Sequence, residues 1–400
     1  MKQKLTLPIL TLGHFSVDLA CLYFFFTNFP QDSLVKVLSA ALLYNFLAFA
    51  LQAPIGYFSD RFPANRSTIT GFLFVLCGYA FGLFHRPVAG IILCGFGNAF
   101  YHVGGSIGIV RTDKKGLRDS GIFVSSGALG VSLGTWLAGP GHGLSTSFTN
   151  SATIIIPLLI VLLLLQTIIR QPYKQPASIL SARSNTTLLL LSLFAVFIRS
   201  LGGLFFPPLY KEFFTFTQIL FPENLMLYSF FIIMASGITA FLGKFLGGYL
   251  SCLCAALIHK LFPKKKIDLR SCNYIFGTVT LLLSMVFFTL GSKTAILQSP
   301  NHTPEFCFLG VLFFHAAMPV TLFELYSILP DRPGFAMGLS TVMLFLGYLP
   351  YAFFPLDGLP APLILHLLTL LAVACMIASL LIYRKAAFNN KNQNPQGGSS

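Results

Sequence analysis

The sequence predicts an all-α membrane protein with twelve transmembrane helices in two sets of six. Three observations carry that expectation. Only 10% of the 400 residues are charged and 55% are hydrophobic, whereas a typical soluble chain is about 25% charged, enough to cover its surface. Twelve mostly apolar runs approach the roughly 20 residues that a helix needs to cross a bilayer. A polar stretch from Arg170 to Thr186, with Pro172, Lys174, Pro176 and Arg183, divides the runs six and six.

In chain order the first six expected spans are Leu5–Phe29, Ser33–Phe58, Thr70–Phe84, Pro87–Val110, Ser120–Ala138 and Thr153–Ile169. The second six are Thr187–Leu209, Met226–Ser251, Asn273–Gly291, Phe306–Leu329, Gly334–Phe354 and Pro360–Tyr383. The third and sixth are short. Residues 1–170 and 187–384 are expected to form the two six-helix bundles, with residues 171–186 as the linker between them. Lys211 to Asn224 reads as an outer loop with a short helical piece. Residues 385–400, rich in Asn, Gln, Gly and Ser from Asn389 onward, read as a disordered tail.

Mean hydropathy is +0.77, and Phe alone occurs 43 times. A surface that faces lipid explains both, because it needs no polar cover. The net charge of +14 does not indicate nucleic acid, since the basic residues sit in short gaps between apolar runs rather than in an aromatic-interleaved patch. There they act as topology signals. With the N-terminus inside, the inner segments hold 20 Lys and Arg and the outer segments four, namely Lys36, Arg86, Lys211 and Lys293; Arg199 and Lys244 lie within spans. This asymmetry puts both termini on the cytoplasmic side of the cytoplasmic (inner) membrane. No cleavable signal peptide is evident. The eight cysteines form no C-x-x-C pair, so free, buried thiols are expected, with no disulfide framework, no metal site and no cofactor.

After the second span stands Gly56-Tyr-Phe-Ser-Asp60-Arg61-Phe-Pro-Ala-Asn-Arg66. Gly56 would allow close helix packing. Asp60 could cap the positive N-terminus of a helix from the other set, and Arg61 and Arg66 could bridge to carboxylates or helix C-termini. The second half has an echo, Gly243-Lys244-Phe-Leu-Gly247-Gly248, near the end of the eighth span. Phe100-Tyr101-His102 in span four is echoed by Phe313-Phe314-His315 in span ten. Span five contains Ser126-Gly127-Ala-Leu-Gly130 and ends on Gly139-Pro140-Gly141. The connection from span ten to span eleven reads Leu329-Pro-Asp331-Arg332-Pro-Gly334-Phe-Ala-Met-Gly338.

The Gly56–Arg66 segment resembles the G-x-x-x-D-R-x-G-R-R signature of the major facilitator superfamily, with Pro63-Ala64-Asn65 in place of its Gly-Arg-Arg part. Repeated six-span halves are the expected build of that superfamily. The end of span five is similar to the Gly-Pro motif of its proton-coupled exporters. His14-Phe-Ser-Val-Asp18, with Gly95-Phe-Gly97-Asn98-Ala-Phe-Tyr-His102, is similar to the fosmidomycin-resistance branch. The resemblance implies alternating access, with the first, fourth, seventh and tenth spans lining a central cavity.

Charges at mid-membrane cost roughly 2.5–3.5 kcal/mol on insertion scales, so those present are informative. His14 and Asp18 lie one turn apart in span one, and Asn98 and His102 in span four. Arg199 lies in span seven, and His315 and Glu324 in span ten. These seven are the candidate substrate and proton site. Gly56, Asp60, Arg61, Arg66, Gly243 and Lys244 are the candidate conformational motif. Asp18 is expected to carry the coupling proton, and Arg199 to hold either an anionic substrate group or the Asp18 carboxylate. His366 reads as structural.

The expected function is therefore a proton-coupled secondary transporter of a small molecule, acting as a monomer, with export favoured over uptake. A membrane-embedded enzyme or sensor is the rival. H-E-x-x-H is absent, as is the phosphate-binding G-x-x-x-x-G-K-[ST]. G-x-S-x-G occurs around Ser106 and Ser132, but within spans and without a strand-to-helix elbow. A channel is disfavoured because no filter-like segment is visible.

Overall fold

In hydrocarbon no water is available to bond a free N–H or C=O, so each apolar run closes its own backbone hydrogen bonds as a helix. The computed structural model describes residues 5–29, 34–112, 117–139, 148–168, 183–261, 268–296, 305–354 and 359–393. Twelve helices among them are long and apolar enough to cross a membrane. The first set comprises α1 (Thr6–Asn28), α2 (Leu34–Asn45) with α3 (Gln52–Ser59), α4 (Ala64–Leu83), α5 (Pro87–Thr112), α6 (Leu117–Ala138) and α7 (Phe148–Ile168). The second comprises α8 (Arg183–Gly203), α11 (Leu225–Leu261), α12 (Leu269–Ile296), α13 (Glu305–Ala316) with α14 (Met318–Ile328), α15 (Pro333–Phe353) and α16 (Ala361–Gln393). Two short helices follow α8: α9 (Phe206–Leu209), where the end of the seventh span was expected, and α10 (Lys211–Leu220) in the expected outer loop.

Several boundaries differ from expectation. The third span begins at Ala64 rather than Thr70, because Arg66 and its polar neighbours form the first turn of the helix instead of a loop. The seventh ends at Gly203, and the eighth runs to Leu261, ten residues beyond Ser251. Helix α16 continues to Gln393, so residues 385–393 are helical where disorder was expected. Most of the 171–186 linker, Pro140-Gly141 and the last seven residues lie outside the described residues. None of the eight cysteines is in a disulfide, but Cys77 is exposed and Cys252 and Cys254 are half-buried rather than buried.

The second span is not uniform. Between α2 and α3 the chain widens into a π-helical turn, Phe46–Ala50, where the Leu51 amide donates to Phe46 O at 3.2 Å. Such turns re-aim the residues that follow them and are frequent at functional sites. Leu51 closes this one, and Gln52 follows as the first residue of α3.

The buried core falls into two clusters, the first of which also takes in Leu322, Leu325 and Tyr326 of α14 and Ala336 of α15 from the other set. In the first, Leu10, Val17, Phe24, Phe72, Tyr79 and Tyr101 interlock. In the second, Ala195, Ile198, Tyr274, Phe288, Phe314 and Leu365 do so. Outward-facing Leu164, Leu253, Leu257, Leu367 and Leu381 stay exposed, as a lipid-facing surface requires.

Two of the helix pairs that join the sets depend on missing side chains. Along α3 and α15, a Cβ at Gly56 would fall 2.1 Å from Gly334 O, and one at Gly338 would fall 2.4 Å from the backbone of Ala53. Along α6 and α11, Gly121 and Gly248 meet backbone to backbone, and a Cβ at Gly237 would strike Ser132.

Candidate functional site

The sequence-predicted residues of spans one and four come together. Asp18, 5% exposed, accepts from Asn98 Nδ2 at 2.7 Å and from His102 Nε2 at 3.1 Å, both on Oδ1. His14 Nε2 stands 3.2 Å from Oδ2. His14 and His102 meet edge to face, with ring centroids 4.3 Å apart, and His14 stacks on Phe123 at 4.5 Å. The room for this comes from α6, where a Cβ on Gly127 would lie 2.4 Å from Asp18 Oδ2 and 2.6 Å from His14 Nε2.

Gln52 belongs to the same centre, although the sequence reading did not single it out. Its amide nitrogen donates to Ala48 O at 2.6 Å and faces His102 Nδ1 at 3.3 Å. An amide inside an apolar run was the available signal. His14, Asp18 and His102 keep their ligand atoms within 4.8 Å of one another, a spacing that suits one small cation. With Gln52 donating to Nδ1 of His102, Nε2 of that ring carries the hydrogen and is a donor rather than a metal-binding lone pair. The arrangement fits a proton.

The second set contributes cations. Arg199 is 7% exposed and its Nε has no hydrogen-bond partner. Its Nη1 donates to Thr321 Oγ1 at 3.1 Å, and its guanidinium lies 5.5 Å from the centre of the Phe314 ring. Asp18 and Arg199 are therefore not directly paired, since each is held by its own set. Lys244, assigned from sequence to the conformational motif, lies within electrostatic reach of both Asp18 and Arg199. Half-buried His315 stands 5.8 Å from the Phe206 ring and within reach of Lys244 and Arg199. Gly243 brings α11 against His315 Cβ and Leu312 O.

Glu324 does not join this centre. Arg270 Nε donates to both of its carboxylate oxygens, at 2.9 and 2.7 Å, and Nη2 closes a further bond to Oε1. The Arg270 guanidinium also lies 4.6 Å from the centre of the Tyr383 ring. This buried ion pair satisfies Glu324 within the second set. His366 Nδ1 donates to Pro362 O, and its Nε2 faces Thr289 Oγ1, in the same set, a packing role.

At the far end of α3 the Asp60 carboxylate receives two backbone amides at the start of α15. Gly334 N reaches Oδ1 and Phe335 N reaches Oδ2, each at 2.9 Å. This is the position where a helix N-terminus favours an anion. Arg111 ties the loop by donating to Asp60 O at 2.7 Å and Phe62 O at 3.2 Å. Burial pushes the Asp60 carboxyl up to about 6, against the Phe335 and Gly334 amides and the Arg111 and Arg332 charges that pull it down. Arg61 and Arg66 do not bridge to carboxylates as expected. Arg61 lies over Tyr57 and Phe58, and Arg66 over Phe62.

No sequence family and no curated protein matches the chain. Solved structures do. A major facilitator superfamily transporter, FucP, in the outward conformation superposes with a TM-score of 0.66 at 13% identity, over 95% of this chain and 99% of FucP. A variant of the E. coli fucose:proton symporter FucP gives 0.61 at 12% identity, over 95% and 99%. A bacterial homologue of the iron transporter ferroportin, in its outward-facing state, gives 0.56 at 15%, over 95% and 98%. At these identities the likeness concerns architecture: the chain has the fold of major facilitator superfamily transporters, twelve membrane helices in two bundles of six.

Proposed function

We propose that the chain is a proton-coupled secondary transporter that moves a small molecule by alternating access, in the export direction, across the cytoplasmic membrane. Both termini face the cytoplasm, the chain acts as a monomer, and residues 171–186 link bundles 1–170 and 187–384. One observation carries the reading. A buried acid–histidine centre in one bundle faces unneutralised cations of the other, within two bundles that touch through removable glycine contacts. The Gly-Pro end of span five and the likeness of the His14–Asp18 and Asn98–His102 segments to the fosmidomycin-resistance branch support export.

In this mechanism the centre of the first bundle exchanges a proton, and Arg199 holds an anionic group of the substrate. Asp60, seated on α15, holds the cytoplasmic side shut. An enzyme or sensor would need a reactive constellation open to substrate, whereas Asp18 is saturated by three donors.

Reconstituted vesicles with an imposed pH gradient test the proposal, once thermal-shift screening of the purified protein has supplied a ligand. Asp18→Asn should abolish gradient-driven flux while leaving binding or exchange, and Arg199→Ala should abolish binding. Full gradient-driven accumulation by Asp18→Asn would refute the proton role.

A further inference from the structure

We infer that the mobile proton of this centre resides on Nε2 of His14, with Asp18 as its fixed counter-ion and His102 as a neutral partner. The role in transport rests on the proposed function; the chemistry rests on the hydrogen bonds alone.

Donor and acceptor accounting around three groups leads there. Nδ1 of His14 faces Phe123 O at 2.7 Å. A carbonyl oxygen only accepts, so Nδ1 carries a hydrogen. Ser126 Oγ, 3.3 Å from the same nitrogen, sends its own hydrogen to Phe123 O at 2.8 Å and offers none to the ring. A neutral His14 would then turn a bare lone pair on Nε2 toward Asp18 Oδ2 at 3.2 Å, two acceptors face to face. A second ring proton converts that contact into a charge-assisted hydrogen bond.

His102 reads the other way. The Gln52 amide nitrogen is oriented by its bond to Ala48 O and presents its remaining hydrogen to Nδ1. Nδ1 therefore accepts, and Nε2–H donates to Asp18 Oδ1 in the neutral ring. Asp18 in turn receives only donors, namely His14, His102 and Asn98. A protonated carboxyl would have one acceptor, Nε2 of a neutral His14. Imidazole is the stronger base of the two, and the bonds that Asn98 and His102 donate favour the ionised carboxylate, so the shared proton stays on the ring.

The groups facing His14 come from every neighbouring helix. They are Asp18 on α1, His102 and Asn98 on α5, and Phe123 and Ser126 on α6. Lys244 on α11, Tyr44 on α2 and Cys21 on α1 lie within electrostatic reach of Asp18. Uptake forms one N–H bond at Nε2, and release breaks it, with the proton passing to or from water of the connected compartment. On release Asp18 keeps two neutral donors and loses its cation. Lys244 has no hydrogen bond or ion pair with another described residue. It then becomes the replacement cation, from the opposite bundle, so proton release draws α11 toward α1.

Nitrogen-labelled histidine in the full-length protein in lipid nanodiscs tests the inference by magnetic resonance. His14, assigned by the signal lost in His14→Gln, should show a doubly protonated ring in the proton-loaded protein and the Nδ1–H form once the proton is released. His102 should keep the Nε2–H form throughout. If His14→Gln does not fold, Ser126→Ala assigns the signal by its shift. Infrared difference spectra over the same transition should show imidazole bands and no protonated-carboxyl band. A carboxyl band that disappears in Asp18→Asn, or a His14 ring that stays singly protonated at every pH, overturns the inference. Neither measurement reads flux, so a protein that gives these spectra but moves nothing down a pH gradient refutes the proposed function and leaves the inference standing.

Discussion

Gly56→Ala tests whether the α3–α15 contact controls a moving interface. The added methyl would sit 2.1 Å from Gly334 O, 2.4 Å from its carbonyl carbon and 2.8 Å from Phe335 N. All three are backbone atoms, so no side chain can rotate away. Ordinary contact begins at 3.4 Å, and reaching it requires α3 and α15 to separate by about 1 Å. The same residues donate the two 2.9 Å bonds to Asp60, and that separation carries them past the ~3.2 Å limit of a good hydrogen bond. Overpacking of this kind costs about 1–3 kcal/mol, which is roughly 5- to 150-fold in the ratio of closed to open states.

The cost falls on the closed state alone, because the two helices belong to different bundles. Spin labels at Arg61 and Pro330, in a background without native cysteines, would read the separation by electron–electron resonance. Gly56→Ala should shift the distance distribution to longer values. Gly78→Ala is the control, since its methyl meets Cys94 Sγ and Gly90 O inside one bundle. It should lower thermal stability and leave the distances unchanged. If Gly56→Ala behaves like Gly78→Ala, the interface does not open there and the reasoning fails.

Three further outcomes are expected. The Asp60 carboxyl, pushed up to about 6 when seated on α15, compares with about 3.9 in solvent. The closed state therefore takes up a proton more readily than the open one. Acidification from pH 7 to 5 should favour closure by about 1 kcal/mol, on the order of tenfold, an effect complete below the solvent value and lost as pH rises through about 6; Asp60→Asn, which should slow transport with little change in ligand affinity, should lack this dependence in the same label measurement. Arg270→Ala strands the Glu324 carboxylate, 4% exposed, and should cost about 3 kcal/mol of stability, with Glu324→Gln in that background recovering part of it in thermal unfolding. Reporter fusions at Lys293 and Lys385 should report outside and inside, and the opposite pattern refutes the orientation.

The fold was legible because burial in lipid is a property of composition. Twelve apolar runs need no partner to be recognised, and every backbone polar group in them is satisfied locally. Boundaries were less legible where a charge sits inside a helix, as Arg66 does in the first turn of α4. Within the site, His14 and Asp18 were readable as one face of one helix, and so were Asn98 and His102. Their meeting with each other was not, because it is set by packing over 80 or more residues. The Arg270–Glu324 pair spans 54 residues and has no local signature. The π-helical turn at Phe46–Ala50 also escaped, since an apolar run carries no mark of a widened turn, and with it went the placement of Gln52. Lys244 was read as part of a motif echo near the end of the eighth span because its sequence neighbours are glycines. Its depth along a 37-residue helix is visible only in three dimensions.

One short helix links the two ends of the proposed mechanism. α3 runs from Gln52 to Ser59 and ends at Asp60. Its first residue fixes the ring form of His102 at the buried centre, and the residue after its last caps α15 of the other bundle. Eight residues of helix separate these two groups by roughly 12 Å and behave as a rod. The π-helical turn one residue before Gln52 is the weakly held part of this span, with its ladder displaced by one residue. A tilt of α3 that releases Asp60 from the Gly334 and Phe335 amides therefore pivots near Gln52 and changes its approach to His102, a contact already long at 3.3 Å. Loss of that contact frees Nδ1 of His102 and with it the constraint that keeps its Nε2–H pointed at Asp18. Opening at the Asp60 end and rearrangement of the donors around Asp18 are then one motion, transmitted by backbone geometry rather than by a chain of side chains.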